Sequence, residues 1–236
     1  MKYRILQVAA LLVIGWGVTQ IARGTYVHAK AKLAQILIRR AWVKAASEGG
    51  APKPWPWADT TPVARLGAPL QRIDLIVLDG ASGRTLAFGP GSVAGTARPG
   101  RPGNAVIGGH RDTHFRFLKE LKTGDPLLVE SPEGEVVEYV VTATRVVDYR
   151  DAEVTRDFGD DRLTLVTCYP LDAIEPGGPQ RYVVTATRVA DRHRSSSAVS
   201  QSVGSSEPSV GSSIVTRTVV FSERFRGASS VRVPSS

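Results

Sequence analysis

Residues 161–170 are Asp-Arg-Leu-Thr-Leu-Val-Thr-Cys-Tyr-Pro. The acidic start, the apolar and β-branched middle and the final proline predict a short buried strand that ends at Cys168. Cys168 is the only cysteine among 236 residues, so it has no partner within the chain for a disulfide bond. A strand end holds a side chain in a direction fixed by the sheet, which suits a reactive group. On this segment alone, Cys168 is either a small core residue or a free thiol kept for chemistry.

Two further segments favour a catalytic role for Cys168. His110 follows Gly108-Gly109 and a short apolar strand, and Arg181 opens an apolar strand after a Gly- and Pro-rich loop. Acyl transfer through a thioester needs a thiol, a group that exchanges protons with it and a cation that stabilises the charge on the carbonyl oxygen. We therefore predict that Cys168, His110 and Arg181 form one catalytic site.

In their order and spacing, these segments resemble the sortases, cysteine transpeptidases that cleave a C-terminal sorting signal and join the new carboxyl end to an amine. The likeness covers about residues 1–190, and Gly-His-Arg at 109–111, Thr-Leu-Val-Thr-Cys at 164–168 and the later arginine carry it. Trp55-Pro56-Trp57, the segment Gly-His-Arg-Asp-Thr-His-Phe, the short chain and the apolar N-terminus together resemble the class GN sortases of marine proteobacteria. The resemblance implies an all-β fold, a closed barrel of about eight strands with short helices.

The resemblance also implies roles around the thiol. Cys168 would form a thioacyl-enzyme, and Thr167 would help to position the substrate, the alternative being an ordinary strand threonine. Asp112 is a candidate for orienting the imidazole of His110 or His114. These two histidines have a spacing that binds zinc on a helix, but the glycines before the first one disfavour a helix and no third ligand is evident. We therefore predict no metal and no cofactor, calcium included.

The N-terminus predicts a membrane anchor. Two basic residues, Lys2 and Arg4, precede an apolar run over residues 5–22. Eighteen helical residues span roughly 27 Å, close to the thickness of a bilayer core. We predict an uncleaved transmembrane signal anchor over 1–24, with a long signal peptide as the alternative. The resemblance places the protein in the inner membrane, single-pass, with its catalytic domain on the periplasmic or extracytoplasmic side.

The net charge and the composition restrict the classes of partner that we expect. The net charge is +8, but the basic residues are spread thinly along the chain, so a nucleic-acid-binding surface is not indicated. The positive charge favours attraction to an anionic membrane surface instead. The resemblance implies a substrate protein with a C-terminal sorting signal, an amine acceptor and a monomeric enzyme.

Along the chain, we predict an amphipathic helix and a Pro/Trp-rich linker over 25–61, a barrel over 62–192 and a disordered Ser-rich tail over 193–236. The helix would present Leu33, Ile36, Leu37, Ala41 and Val43 on its apolar face. One short helix is expected within the barrel, over 115–121. The octapeptide Tyr-Val-Val-Thr-Ala-Thr-Arg-Val occurs at 139–146 and 182–189, which predicts two similar strands of one sheet. Predicted strands cover residues 74–78, 85–88, 105–107, 126–130, 136–148, 163–167 and 181–189.

Three alternatives differ in what they require around Cys168. An L,D-transpeptidase places its histidine directly before a Gly-Cys pair, and a papain-like hydrolase places its cysteine at a helix start; neither pattern surrounds Cys168. The third is a non-catalytic, membrane-tethered β domain that binds an envelope partner, with Cys168 as a core residue.

Overall fold

The computed structural model describes residues 2–173 and 177–190 of the chain. It begins with one long helix, α1 (Lys2–Glu48), and continues into eight strands with short helical turns between them. The strands are β1 (Pro62–Ala68), β2 (Ile73–Asp79), β3 (Gly91–Ser92), β4 (Asn104–Gly108), β5 (Pro126–Glu130), β6 (Val136–Asp148), β7 (Arg162–Tyr169) and β8 (Gln180–Arg188). The predicted tail, 193–236, lies outside the described residues.

The eight strands close into a barrel in the order β1-β2-β3-β4-β7-β8-β6-β5, and β5 pairs with β1. Two pairs, β2 with β3 and β4 with β7, are parallel, and the others are antiparallel. The all-β barrel predicted from the sequence is confirmed. Its interior is filled by apolar side chains, of which the largest fully buried ones include Tyr139, Phe115, Leu66, Leu127, Leu163 and Leu165.

One strand prediction is wrong. The segment predicted as a strand over 85–88 lies instead in and just after a short helix, α2 (Gly83–Leu86). The hydroxyl of Ser82 accepts a hydrogen bond from the backbone N–H of Thr85, which caps this turn. A local cap thus overrides the strand propensity of the residues that follow.

Two strands were missed by sequence reasoning. β1 contains proline, two alanines and a glycine, which are poor strand formers, and β3 has only two residues. Both exist because neighbours on either side supply hydrogen bonds: β1 joins β2 to β5, and β3 joins β2 to β4. Pairing between distant segments, rather than local propensity, decides these elements. The short helix predicted over 115–121 is present as a 3-10 helix, Arg116–Glu120.

The two copies of the octapeptide lie in strands of one sheet, as predicted, and these strands are adjacent and antiparallel. Tyr139 pairs with Arg188 and Val146 pairs with Tyr182, so the two copies lie alongside each other in opposite directions. A register shift between Val141 and Ala143 accommodates the extra residue of β6, and the hydroxyl of that residue, Thr142, donates to the carbonyl of Thr185.

The C-terminal part of α1 packs on the barrel. Its buried face contacts Ile76 and Leu78 of β2, with Trp55 and Phe88 at the edge of the cluster. Trp55 meets Phe88 edge-on with ring centroids 5.1 Å apart, whereas Trp57 is 82% exposed. The buried residues of this part of the helix are Ala34, Ile38, Ala41, Trp42 and Ala45.

This face differs from the predicted one. Leu33, Ile36 and Val43 are exposed, and only Ala41 of the predicted set is fully buried. The face that packs on β2 is formed by Ile38 and Trp42, and Ala34, Ala41 and Ala45 are also buried. The helix is also continuous from Lys2 to Glu48, so the predicted anchor and amphipathic helix are one element. It ends just before Gly49-Gly50, as expected.

Among the described residues, no helix is both long enough and apolar enough to qualify as a membrane span. The transmembrane anchor stays a prediction.

A partly buried ion network joins α1 to the seam where β1 closes on β5. Arg65 on β1 donates from Nε to Oδ1 of Asp74 at 2.7 Å and from Nη2 to Oδ2 at 3.0 Å. Its Nη1 donates to Glu130 at 3.2 Å, and Arg39 of α1 reaches Asp74 at 3.4 Å. Burial alone would raise the pKa of Asp74, but the hydrogen bond and charge of Arg65, with help from Arg39, hold that pKa below its ordinary value.

We expect Asp74→Asn to lower the free energy of unfolding by roughly 1–3 kcal/mol, because Arg65 loses a charged, two-point acceptor. Since the folded state lowers the pKa of Asp74, its contribution is present above the unfolded value of about 3.9 and is lost as the pH falls through the lowered pKa. Urea unfolding at neutral pH measures the loss. Arg84→Gln is the matched control, because the Arg84–Asp59 pair is 3.9 Å apart and largely exposed. Equal effects of the two substitutions would contradict the structural role of Asp74.

Candidate active site

The three predicted catalytic residues meet at one edge of the barrel. β4 and β7 run parallel, and their last aligned pair is Gly108 with Val166. His110 and Cys168 each lie two residues beyond that pair, so His110 follows the end of β4 and Cys168 is the second-last residue of β7 at the same edge. On the other side of β7, Arg181 is the direct antiparallel partner of Cys168. Cys168 thus has a histidine-bearing loop on one side and an arginine on the other.

Exposure suits a reactive thiol. Cys168 and Arg181 are half-buried, and His110 is exposed, so a substrate can reach all three. The strand around the thiol is otherwise buried: Leu163, Leu165 and Thr167 face the interior or a neighbouring loop. The peptide bond after Tyr169, which leads to Pro170, is cis. The reactive group therefore stands at the rim of a rigid sheet and not inside the apolar core.

Three hydrogen bonds hold the loop that carries His110. The hydroxyl of Thr167, which is 2% exposed, donates to the carbonyl of Gly109 at 2.7 Å. The N–H of Gly109 donates to the carbonyl of Val166 at 3.1 Å, and the N–H of Phe115 donates to the carbonyl of His110 at 2.9 Å. Both backbone polar groups of Gly109 are therefore bonded to β7, which fixes the residue before the histidine relative to the thiol.

Gly109 also permits a close ring contact. A Cβ atom at this position would lie 2.7 Å from the ring of Phe115, which is fully buried. At Gly108 a Cβ would meet only Ala81 at 3.8 Å and a carbonyl oxygen at 4.0 Å. Of the two adjacent glycines, only the second is required sterically. Sequence reasoning noted the Gly-Gly pair but missed this contact, for which the phenylalanine six residues later was the available signal.

Arg111 links the histidine loop to the loop after the cysteine. Its side chain is buried, at 7% exposure, and its Nη2 donates to the carbonyl of Ala173 at 2.9 Å. A buried guanidinium bound to a backbone carbonyl orders both segments. Sequence reasoning used Arg111 only as part of the Gly-His-Arg motif and did not assign it this position.

The remaining predicted residues lie around His114. Asp112 is exposed and, in the described part of the chain, hydrogen-bonds to neither imidazole. Burial lowers the pKa of His114, the nearby His110 lowers it further and the charge of Asp112 raises it. Thr167 is buried against Gly109, so its hydroxyl is directed to the histidine loop. The role predicted for Thr167 in positioning the substrate and the role predicted for Asp112 in orienting an imidazole stay predictions.

The lowered pKa of His114 predicts a loss of stability in acid. Since the folded state disfavours the charged imidazole, stability should fall as the pH drops below the unfolded value of about 6.5 toward the lowered pKa. We expect His114→Gln to lose less melting temperature than the wild type between neutral and mildly acidic pH. Asp112→Asn is the opposing control, because it removes the charge that favours protonation and should increase the loss. Thermal unfolding followed by circular dichroism tests both, and identical pH profiles for all three proteins would contradict the assignment.

Over residues 2–173 and 177–190, no group of three or more His, Cys, Asp or Glu side chains is placed to hold a metal ion. The groups at the site can supply a nucleophile, a proton donor and acceptor, and a fixed cation beside the nucleophile. These are the requirements of acyl transfer through a thioester.

Comparisons with known proteins agree with this chemistry. A family profile described as Sortase domain matches residues 66–189, slightly more than half of the chain. Sortase D of Bacillus subtilis (strain 168) is 33% identical over 125 residues, which cover 52% of this chain and 62% of that protein. Sortase A of Bacillus anthracis is 29% identical over 134 residues, covering 55% of this chain and 61% of that protein. The chain therefore spans less than two thirds of the length of these relatives.

A solved structure shows the same fold. The structure of a Clostridium perfringens Sortase D5 transpeptidase superposes with a TM-score of 0.54, covering 67% of this chain and 98% of that chain. Sequence identity is 20%, so this likeness concerns the fold alone.

Proposed function

Because the chain belongs to the sortase family, we propose that it is a cysteine transpeptidase that cleaves a C-terminal, LPxTG-like sorting signal and transfers the acyl part to an amine. The proposal depends on how the three residues are arranged around the thiol. Arg181 is the antiparallel partner of Cys168 on β8, and His110 and Cys168 each lie two residues beyond the last aligned pair of the parallel strands β4 and β7. The proposed nucleophile, proton carrier and oxyanion-stabilising cation thus lie on neighbouring segments of the barrel, which supports the proposal.

The reaction proceeds in two steps. Cys168 attacks as the thiolate while His110 holds the proton: Sγ bonds to the carbonyl carbon of the scissile peptide bond, and Arg181 stabilises the negative charge that develops on the oxygen. The C–N bond breaks, the leaving amine takes the proton from His110, and a thioester forms on Cys168. An amine acceptor then attacks the thioester, its surplus proton passes to the imidazole, the C–S bond breaks, and the Cys168 thiolate is released. Water replaces the amine when no acceptor is available.

The partners of this reaction are a substrate protein that carries the sorting signal and a second molecule with a free amine. The chemistry places no demand for a metal or an organic cofactor on the residues present. A half-buried thiol at the edge of a sheet is consistent with an extended peptide as the substrate.

We also propose that the protein is anchored in the inner membrane with the barrel outside the cytoplasm. The support is the apolar run of residues 5–22 and the exposure of its large side chains, including Leu11, Leu12, Val13, Ile14, Trp16 and Val18, each at least 60% exposed on α1. Cell fractionation with a carbonate wash tests the anchor. A membrane-impermeant maleimide tests on which side of the inner membrane the barrel lies. It is added to cells whose outer membrane has been made permeable, and labelling of the single thiol is measured.

The finer relationship to the class GN sortases is likewise a proposal. It rests on Trp55-Pro56-Trp57, on the segment Gly-His-Arg-Asp-Thr-His-Phe at 109–115 and on the apolar run of residues 5–22. Such a subgroup implies a single dedicated target protein, which can be tested by asking how many cellular proteins become acyl donors to Cys168.

The function is tested with the full chain in a mild detergent. Peptides of the form Leu-Pro-x-Thr-Gly, with every amino acid at x, are incubated with triglycine and followed by mass spectrometry. We expect at least one peptide to be cleaved after threonine, with triglycine joined to the new end. If no peptide in the series is cleaved or transferred, the LPxTG-like signal is wrong.

The thiol is tested separately from the signal. Methyl methanethiosulfonate is added across about pH 5 to 9, a range that spans ordinary and activated thiols. We expect fast single modification at Cys168, slowed or shifted in pH by His110→Ala or Arg181→Ala. A thiol that reacts only after denaturation would favour the non-catalytic β domain.

A further inference from the structure

Arg181 is held in a defined orientation by its surroundings. Its Nη1 donates to the carbonyls of Gly178 and Gln180, both at 2.8 Å. Its guanidinium carbon lies 5.7 Å from the centre of the Tyr149 ring. Within the described part of the chain, its hydrogen bonds use Nη1 alone, so Nε and Nη2 are left to meet a substrate oxygen.

Tyr149 is fixed beside Arg181 by the backbone. It follows directly after β6, whose last residue, Asp148, pairs with Gln180 at the start of β8. The N–H of Tyr149 donates to the carbonyl of Pro179 at 2.7 Å, which extends the strand pairing by one bond. The Cα of Tyr149 therefore cannot move away from the first residues of β8 without breaking this bond.

A neighbour orients the Tyr149 ring. Arg150 donates from Nε to the tyrosine hydroxyl at 2.9 Å, and its guanidinium carbon lies 4.9 Å from the ring centre. The backbone N–H of Arg150 is in turn bound by the carboxylate of Asp148 at 2.9 Å. The ring is nevertheless 52% exposed and belongs to none of the apolar clusters of the barrel. A large, exposed aromatic side chain held in this way contributes little to the core.

We propose that Tyr149 is a positioning residue, which presents the face of its ring to Arg181 and so holds the free edge of the guanidinium toward the oxyanion formed at Cys168. The negative face of an aromatic ring attracts a guanidinium and limits its rotation. The carbonyls of Gly178 and Gln180 fix the position of Nη1, and the Tyr149 ring fixes the plane of the Arg181 guanidinium. This inference rests on the proposed function, in which Arg181 stabilises the oxyanion.

Two reagents distinguish stabilisation of the oxyanion from the reactivity of the Cys168 thiol itself, and neither requires a sorting-signal peptide. With p-nitrophenyl acetate, the Cys168 thiolate attacks the ester carbonyl, a tetrahedral oxyanion forms, p-nitrophenolate leaves and an acetyl thioester remains. With iodoacetamide, the thiolate displaces iodide and no oxyanion forms. The full chain is treated with each reagent, and the modification of Cys168 is quantified by mass spectrometry of the digested protein, with Cys168→Ala as background.

We expect Tyr149→Leu to slow acetylation about three- to tenfold, as the strength of a cation–π contact suggests, and to leave alkylation unchanged. Tyr149→Phe keeps the ring and loses only the bond from Arg150, so it should stay within about twofold of the wild type. Arg181→Lys should slow acetylation at least as much as Tyr149→Leu, because lysine lacks the planar fork. In the Arg181→Lys background, Tyr149→Leu should have no further effect. Melting temperatures verify that each variant is folded.

The other outcomes are distinguishable. If Arg181→Lys slows acetylation and Tyr149→Leu does not, the positioning role of Tyr149 is wrong and the proposed function stands. If Tyr149→Leu slows acetylation and alkylation equally, the tyrosine has only a general structural effect and the inference also fails. If Arg181→Lys leaves acetylation unchanged, the oxyanion role of the arginine fails, and with it the inference.

Discussion

Cys168→Ala should abolish acyl transfer, lowering the rate by at least about 10⁴-fold, the scale seen when a catalytic nucleophile is removed. The chain has no second cysteine that could substitute for it. The side chain is half-buried at the end of β7, so its truncation removes few packing contacts. We therefore expect the melting temperature to change little while activity disappears.

The measurement combines a peptide transfer assay with intact-protein mass spectrometry. The wild type should accumulate a thioester adduct when the amine acceptor is omitted, because only water then resolves the intermediate. Cys168→Ala should show no adduct of any kind. Thr167→Ser is the matched control on the preceding residue, because it keeps the hydroxyl that reaches Gly109 and should retain most activity. Transfer at a wild-type rate by Cys168→Ala would exclude a thioester mechanism at Cys168.

The second large effect is expected from the addition of one carbon atom. In Gly109→Ala, the new Cβ would lie 2.7 Å from a ring that is fully buried, so the ring cannot turn out of its way. The backbone before His110 must shift instead, against its bonds to Val166 and Thr167. Overpacking of this kind costs about 1–3 kcal/mol. A displacement of the histidine on the order of 1 Å would lower kcat/KM by about 10²-fold.

Gly108→Ala provides the matched control. Its Cβ would make only ordinary contacts, the nearest to Ala81 at 3.8 Å, so stability and activity should remain close to those of the wild type. Phe115→Leu combined with Gly109→Ala should recover part of the lost activity, because the smaller side chain relieves the collision. Peptide transfer and urea unfolding measured on all four proteins test the argument. Indistinguishable effects of the two alanine substitutions would show that the ring contact does not control the position of His110.

These two predictions depend on different levels of information. The reactivity of Cys168 was inferred from residues 161–170 and from the order of the Gly-His-Arg segment, the Thr-Leu-Val-Thr-Cys strand and the later arginine. Patterns of this kind can be recognised in the sequence because each lies within a single strand or loop. The collision at Gly109 is different, since nothing in the sequence states that the ring of Phe115 folds back over the glycine.

The strands illustrate the same division. Strands with β-branched, apolar residues, such as β6 and β7, were predicted from their composition, because burial and local propensity favour the same structure there. β1 and β3 were not, because their residues are poor strand formers and the hydrogen bonds that stabilise them come from distant segments. The short helix α2 was taken for a strand because its cap, the Ser82 hydroxyl, depends on a backbone turn that composition does not specify.

The sequence was therefore sufficient for the barrel class and for placing the two octapeptide copies in strands of one sheet, and it predicted the thiol, the histidine and the arginine as one site. Tertiary structure alone decided which face of α1 packs on β2, why the second glycine of the pair is needed and where Tyr149 lies relative to Arg181. The reason is physical. Side-chain type and periodicity are properties of neighbours along the chain, whereas register, collisions and ring contacts arise between residues that are brought together only when the barrel closes.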